Sequence, residues 1–408
     1  MKMALSNSKQ AHIFDLQVNT DGNSPNHEYY SLSPNFRSPR HGLLSRANLS
    51  LMIMMFGAGV LLGGICTKIS ARMDSGSTFS KQQLKDWLTI SGKSSLRRNG
   101  DADDSLKIAW LMSFPNSGTS YTSYMVKRVT GHNTATNYGL ESQDEDGQSP
   151  PVINDSPGGP FWLDTQNPNL SKPERGYLLT KTHCGGRCEQ CGPSSYIENH
   201  QLFLKHCLEG EYITDDGHGK LNTITGHYDK NLVARAVHLI RDPFDNIVSR
   251  FHLAHNKFAK RNEAANLAKY QKTRDGFRAF CNDFVDRFRN AEKESTYYSD
   301  VFEVVKDIPC HADFFRFVQW HNLAFTTTWD LGIPTMIVHY ENYTSNFNQT
   351  KDMLLEFLDQ DNNNEPPEFI TGKTYREYFT EEEVVAVSEL FSTLALDKTW
   401  NHTKHYFE

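Results

Sequence analysis

The sequence predicts an α/β domain built around a phosphate-binding turn and carried behind a single N-terminal transmembrane helix. Three observations predict it: a strand, loop and helix pattern at 108–123, a second passage from strand to helix at 236–252, and an uncharged run at 47–67. Strands that feed directly into helices are the mark of α/β architecture.

Residues 1–46 are rich in Ser, Asn and Pro and read as a disordered cytoplasmic tail. From Ala47 to Thr67 the chain carries no charge, and a helix of about 20 residues is what a bilayer core of ~30 Å requires. A secretory signal is the competing reading, but its apolar region would start close to the first residue. Arg37, Arg40 and Arg46 precede the run and Lys68 and Arg72 follow it, so the charge bias keeps the N-terminus cytoplasmic. The anchor is then a single-pass type II span, with the bulk of the chain beyond the membrane. Gly59 and Gly63 form a GxxxG pair that would suit a homodimer of such helices. Residues 68–105 are polar and form a stem, which leaves 106–408 as the folded unit.

That unit has about 300 residues, enough for one large α/β core. The formal charge of −7 argues against a nucleic-acid partner, since such proteins carry a basic surface.

Its first element, IAWLMSFPNSGTSYTS at 108–123, is an apolar run followed by Pro115, Asn116, Ser117, Gly118, Thr119 and Ser120. Small residues let backbone N–H groups wrap an anion while the following helix points its positive end at the same place. No Lys precedes the hydroxyl residues as GxxxxGKS/T requires, so this is not a nucleotide triphosphatase loop. A plain Ser/Gly turn without ligand is the alternative. Tyr121 follows, as either an aromatic platform or a core residue.

The next strand, YLLTKTHCGG at 177–186, ends in Lys181, Thr182 and His183. Cys184, Cys188 and Cys191 come directly after, with a spacing that also serves iron–sulfur clusters and, with His183, imitates a zinc site. A compartment beyond the membrane favours disulfides instead. With Cys66 in the anchor, Cys184, Cys188, Cys191, Cys207, Cys281 and Cys310 remain to pair, in an order the sequence leaves open. Sequons at Asn154, Asn169, Asn342, Asn348 and Asn401 agree with a glycosylated luminal chain.

In AVHLIRDPFDNIVSRFH at 236–252 a strand ends at Arg241, Asp242 caps a helix and Pro243 opens it. Phe244, Ile247, Val248 and Phe251 fall on one face as a buried stripe. Ser249 stands off that stripe, and Arg241 offers a planar donor fork at the strand end. Surface pairing of Arg241 with Asp242 or Asp245 is the plainer alternative. A late strand with an acidic turn follows at 333–343, and GKTYREYFTEEE at 372–383 contributes Lys373 and Arg376.

In these motifs the chain resembles the sulfotransferases that use 3′-phosphoadenylyl sulfate (PAPS). The family pattern is a strand and a PxSGTS/T loop for the 5′-phosphosulfate, a Lys-Thr-His segment after a strand, and an Arg with a Ser eight positions on for the 3′-phosphate. Here these are Pro115 to Ser120, Lys181 to His183, and Arg241 with Ser249. The resemblance implies a central parallel sheet flanked by helices, PAPS as co-substrate, no metal, and a membrane-anchored Golgi enzyme. It makes His183 the general base and Lys181 the group that steadies the sulfuryl oxygens. It gives Tyr121 an adenine-stacking place, and Lys373 and Arg376 a place among the cofactor contacts. The acceptor it implies is a hydroxyl or amine, first on a carbohydrate, then on protein or lipid.

Two departures stand out: Asn116 occupies the place of the usual loop Lys, and the usual Arg-Lys-Gly near the C-terminus is absent. Asn donates a hydrogen bond without charge, so charge stabilisation falls to Lys181, to the loop N–H groups or to a further cation that the sequence does not identify. The rival functions are a catalytically inactive nucleotide-binding membrane protein, motivated by Asn116, and a P-loop kinase, which the missing loop Lys disfavours.

Overall fold

The computed structural model describes residues 107–138, 176–186, 198–215, 221–286, 288, 305–371 and 374–408. The expected tail, anchor, GxxxG pair and stem lie outside these residues, as do Cys188, Cys191, Lys373, Asn154 and Asn169.

The strands are β1 (Lys107–Ser113), β2 (Ala135–Thr136), β3 (Tyr177–Thr182), β4 (Glu209–Asp215), β5 (Leu221–His227), β6 (Val233–Ile240) and β7 (Thr335–His339). Five of them form a central sheet in the order β2-β3-β1-β6-β7, and every pairing in it is parallel. β4 and β5 make a separate antiparallel pair that the sequence did not suggest. The helices are α1 (Thr119–Thr130), α2 (His200–Leu208), α3 (Pro243–Lys260), α4 (Ala264–Lys269), α5 (Arg274–Asp286), α6 (His311–Asp330), α7 (Asn342–Ser345), α8 (Phe347–Leu358), α9 (Glu381–Leu394) and α10 (Asp397–Thr403).

Because a parallel sheet is covered on both faces, its strands read as continuous apolar runs. β1 shows this: Ile108, Ala109, Trp110, Leu111 and Met112 have no exposed surface. Successive side chains point to opposite faces. Ile108, Trp110 and Met112 therefore join one core with Phe244, Phe251, Phe314 and Phe317 from α3 and α6. Ala109 and Leu111 join another with Met125, Val129, Leu354 and Leu358 from α1 and α8.

Local chemistry sets the helix ends. Asp242 accepts from the N–H groups of Phe244 and Asp245, with Pro243 in the first turn, so α3 begins where the sequence placed it. Its expected stripe of Phe244, Ile247, Val248 and Phe251 is buried, a contribution of about 1.5–3 kcal/mol per side chain. α1 ends at Gly131, whose left-handed backbone returns its N–H to the Lys127 carbonyl. α9 opens on a reciprocal capping box between Thr380 and Glu383.

Among the described residues, two disulfides staple the domain. Cys184 to Cys207 ties the segment after β3 to α2, and Cys281 to Cys310 ties α5 to the residue capping α6. With Cys184 paired to Cys207, its thiolate is not available for a cluster with Cys188 and Cys191. Of the described sequons, Asn348 and Asn401 are exposed.

Candidate active site at the carboxyl ends of the parallel strands

β1 lies between β3 and β6. The chain leaves β1 toward β2 and β3, then returns on the other side as β6, so a topological switch falls at the carboxyl end of β1. Such a switch opens a crevice for ligands in doubly wound sheets. Three segments emerge there together: the 114–118 loop after β1, His183 after β3, and Arg241 after β6.

The loop is fastened from several sides. Ser117 Oγ donates to the Phe114 carbonyl at 2.7 Å. Asn246 Nδ2 donates to the Pro115 carbonyl at 2.9 Å and to Ser117 Oγ at 3.0 Å. Arg241 Nη1 donates to the Asn116 carbonyl at 2.9 Å. Asn116 and Gly118 both hold positive φ, 68° and 97°, which turns the chain sharply enough to start α1. Gly118 is the N-cap and has no side chain to offer. The first N–H groups of α1, at Thr119, Ser120 and Tyr121, have no acceptor within the helix. They and the positive end of the helix dipole lie beyond the carboxyl end of β1, an arrangement suited to an anion.

Lys181 brings its cation to the same place: Nζ lies 3.4 Å from Ser120 Oγ. It is the penultimate residue of β3, and its pairing with Leu111 in β1 fixes its height.

His183 is held from several sides. Its Nδ1 is 2.8 Å from the Ser113 carbonyl oxygen and 3.2 Å from Ser113 Oγ. Its backbone N–H donates to the Tyr138 hydroxyl at 2.6 Å, and its carbonyl accepts from Trp320 Nε1 at 2.7 Å. The Tyr138 ring stacks on the imidazole with centroids 5.5 Å apart. A carbonyl oxygen can only accept, so the proton sits on Nδ1 and Nε2 carries the lone pair of the ring.

Arg241 is buried, with its guanidinium 4.6 Å from the Tyr340 ring centroid. Carboxylates crowd behind it. Glu341 Oε1 accepts from the Asp242 N–H at 2.9 Å, and the Tyr406 hydroxyl donates to Glu341 Oε2 at 2.8 Å. Desolvation pushes Asp242 up to about 7, with Asp245 and Glu341 adding to it. Asp245 is pushed up to about 6 by desolvation, against the hydrogen bond from the Tyr375 N–H and the charge of Arg241.

Ser249 lies on α3 three residues after Asn246 and four after Asp245, hence on their face of the helix. Asn246 reaches the loop, Asp245 accepts from the Tyr375 N–H at 2.6 Å, and His252, one turn on, packs edge to face with Tyr375. Ser249 thus lies between contacts to the 375–378 segment. Arg376 in that segment donates to the Tyr406 carbonyl at 3.1 Å and lies 4.2 Å from the Phe244 ring centroid. Tyr121 packs among Tyr343 and Phe369 and donates to the Pro367 carbonyl at 3.1 Å. Burial pushes its phenol up to about 12.

The structure therefore brings Asn116 to Ser120, Lys181, His183 and Arg241 together at the carboxyl end of β1. Asn246, Ser113, Tyr138, Trp320 and Tyr340 hold these residues in place, and sequence reasoning did not single them out. Asn246 alone had a readable signal: it is four residues beyond a capping Asp and outside the apolar stripe. The chain matches no family model, no curated protein and no solved structure.

Proposed function

We propose that the domain is a sulfotransferase that moves the sulfuryl group of PAPS to an acceptor hydroxyl or amine, with adenosine 3′,5′-bisphosphate as the leaving product. The observation that carries this reading is the convergence of an uncapped helix N-terminus, Lys181, His183 and Arg241 at one switch point. His183 Nε2 takes the acceptor proton as the acceptor oxygen bonds to sulfur and the bond from sulfur to the bridging phosphate oxygen breaks. Sulfuryl transfer, like phosphoryl transfer, asks the protein for positioning and charge stabilisation. The loop N–H groups and Lys181 meet the phosphosulfate, and Arg241 with Ser249 meets the 3′-phosphate. Lys373 and Arg376 complete the cofactor contacts, and no metal enters this scheme.

The acceptor is a sugar hydroxyl first, with tyrosyl protein or lipid behind it. The enzyme is a Golgi type II membrane protein with a luminal domain, for which the two disulfides are a supporting feature. Protection of 106–408 from protease in sealed microsomes tests that topology. Titration with adenosine 3′,5′-bisphosphate, ADP and ATP tests the cofactor, and tight binding of the bisphosphate alone is expected. Labelled sulfuryl transfer to glycan, peptide and lipid panels tests the chemistry. Asn116, uncharged where a Lys is usual, favours the second reading of an inactive nucleotide binder, which bisphosphate binding without any transfer would uphold.

A further inference from the structure

Asn246 lies in the first turn of α3 with no exposed surface. A buried amide is costly unless its hydrogen-bonding capacity is met. Here it is met on one side only. Nδ2 donates to the Pro115 carbonyl at 2.9 Å and to Ser117 Oγ at 3.0 Å, while Oδ1 meets no donor. Reversing the amide would set Oδ1 against the Pro115 carbonyl oxygen, so the contacts themselves fix its orientation. An apolar side chain would fill this place without an orphaned oxygen, and helix packing therefore gives no reason for an amide. Its two acceptors do.

Both acceptors belong to the loop between β1 and α1. A trans peptide unit is planar, with its C=O and N–H pointing in opposite directions. Holding the Pro115 carbonyl toward α3 therefore turns the Asn116 N–H away from α3. Arg241 acts on the next unit in the same way, and its hold on the Asn116 carbonyl turns the Ser117 N–H away from the guanidinium. The left-handed φ of 68° at Asn116 lies between the two units, a conformation that Asn tolerates better than most side chains.

Among the described residues neither N–H meets an acceptor. Arg241 Nε, in a side chain only 5% exposed, has none either. Ser117 Oγ accepts from Asn246 and donates to the Phe114 carbonyl, so its proton is spent inside the loop. The loop thus offers an anion its backbone N–H groups, in directions that two side chains set through its carbonyls.

We propose that Asn246 is a positioning residue for the 5′-phosphosulfate loop: through Pro115 and Ser117 it aims the loop N–H groups, and it touches no ligand itself. This rests on the sulfotransferase reading for the identity of the ligand, whereas the clamp serves any nucleotide whose 5′-phosphate enters the loop. Because Asn246 acts on the loop alone, its loss weakens the hold on the 5′-phosphate and spares the other end of the nucleotide.

The test measures adenosine 3′,5′-bisphosphate and adenosine 3′-monophosphate, which lacks the phosphate that enters the loop, on the full chain in detergent. Competition titration gives both affinities for the parent, Asn246→Ala and Asn246→Asp. The second substitution keeps the size of the side chain, but an ionised carboxylate has no proton for the Pro115 carbonyl. Both variants are expected to bind the bisphosphate about tenfold more weakly, the scale of one or two lost hydrogen bonds, and to keep the parental affinity for the monophosphate. A merely structural role would lower both affinities together, and that result, or an unchanged bisphosphate affinity, overturns the proposal. Should neither variant fold, Ser117→Ala, which removes one of the two contacts from the loop side, carries the comparison. A parent that binds ADP and not the bisphosphate overturns the sulfotransferase reading, and ADP against adenosine then measures the clamp. A parent that binds no nucleotide overturns both.

Discussion

The ring of Tyr340 lies against Gly118 so closely that its Cδ2 and Cε2 carbons fill the space a Cβ at 118 would need. Tyr340 follows β7 and also faces the Arg241 guanidinium. One aromatic ring thus joins the helix-capping glycine of the proposed 5′-phosphosulfate loop to the proposed 3′-phosphate arginine. The positive φ of Gly118 disfavours any side chain independently of that contact.

Gly118→Ala should therefore meet two penalties, backbone strain and displacement of Tyr340. A destabilisation of about 1–3 kcal/mol is expected, with weaker adenosine 3′,5′-bisphosphate binding. Calorimetry and nucleotide titration of the variant check both. Parental stability together with parental affinity would show that Tyr340 moves aside freely and does not shape the loop.

The second prediction separates binding from chemistry. In the proposed reaction Arg241 and Ser249 face a charge present throughout, so replacing either with Ala should chiefly raise the PAPS KM, by about 1.5–3 kcal/mol for the charged contact. The role proposed for His183 belongs to the transition state. His183→Ala should lower kcat about 10²- to 10⁴-fold and leave product-nucleotide affinity nearly unchanged. Single-turnover sulfation at near the parental rate in His183→Ala would remove it as the base.

The parts of this site that were legible in the sequence are those built from adjacent residues. The loop, the Lys-Thr-His segment and the start of α3 each consist of a strand end and the few positions after it, where capping and turn chemistry are local. What the sequence did not show is long-range. Asn246 reaches Ser117 across a separation of 129 residues, and Trp320 reaches His183 across 137. No periodicity encodes such contacts, because they depend on which strands become neighbours. The pairing of Cys184 with Cys207 is of the same kind: it follows from α2 packing beside the end of β3.

The third prediction concerns those disulfides. Alkylation of the denatured chain without reductant should leave Cys184, Cys207, Cys281 and Cys310 unlabelled. Replacing Cys207 with Ala should cost about 2–4 kcal/mol of stability. Because Cys184 adjoins His183, it should also lower kcat more than nucleotide affinity. Labelling of Cys184 in the unreduced protein would refute the pairing and reopen a metal site with Cys188 and Cys191.

The last prediction comes from histidines beneath the candidate site. His238 Nε2 and His321 Nδ1 lie 2.8 Å apart in full burial. His339 Nδ1 lies 2.8 Å from the Tyr406 hydroxyl, which in turn reaches Glu341. Burial, with smaller repulsion from neighbouring histidines, lowers His321 and His339 to about 3. An unfolded chain takes up these protons near the ordinary histidine value of about 6.5, while the folded one does not. The unfolded state therefore binds more protons between about 3 and 6.5, and stability falls as pH drops through that range. Each such histidine removes about 2 kcal/mol by pH 5, from 1.36 kcal/mol per pH unit. Asp242 and Asp245 act in the opposite sense, since their raised values favour the folded state as pH falls. A difference between variants isolates the histidine effect from theirs. His339→Gln, which keeps a hydrogen-bonding group near Tyr406, should lose about 2 kcal/mol less than the parent between pH 7.5 and pH 5 in urea unfolding. Equal losses in the two proteins would mean that His339 titrates in the folded state as it does in water.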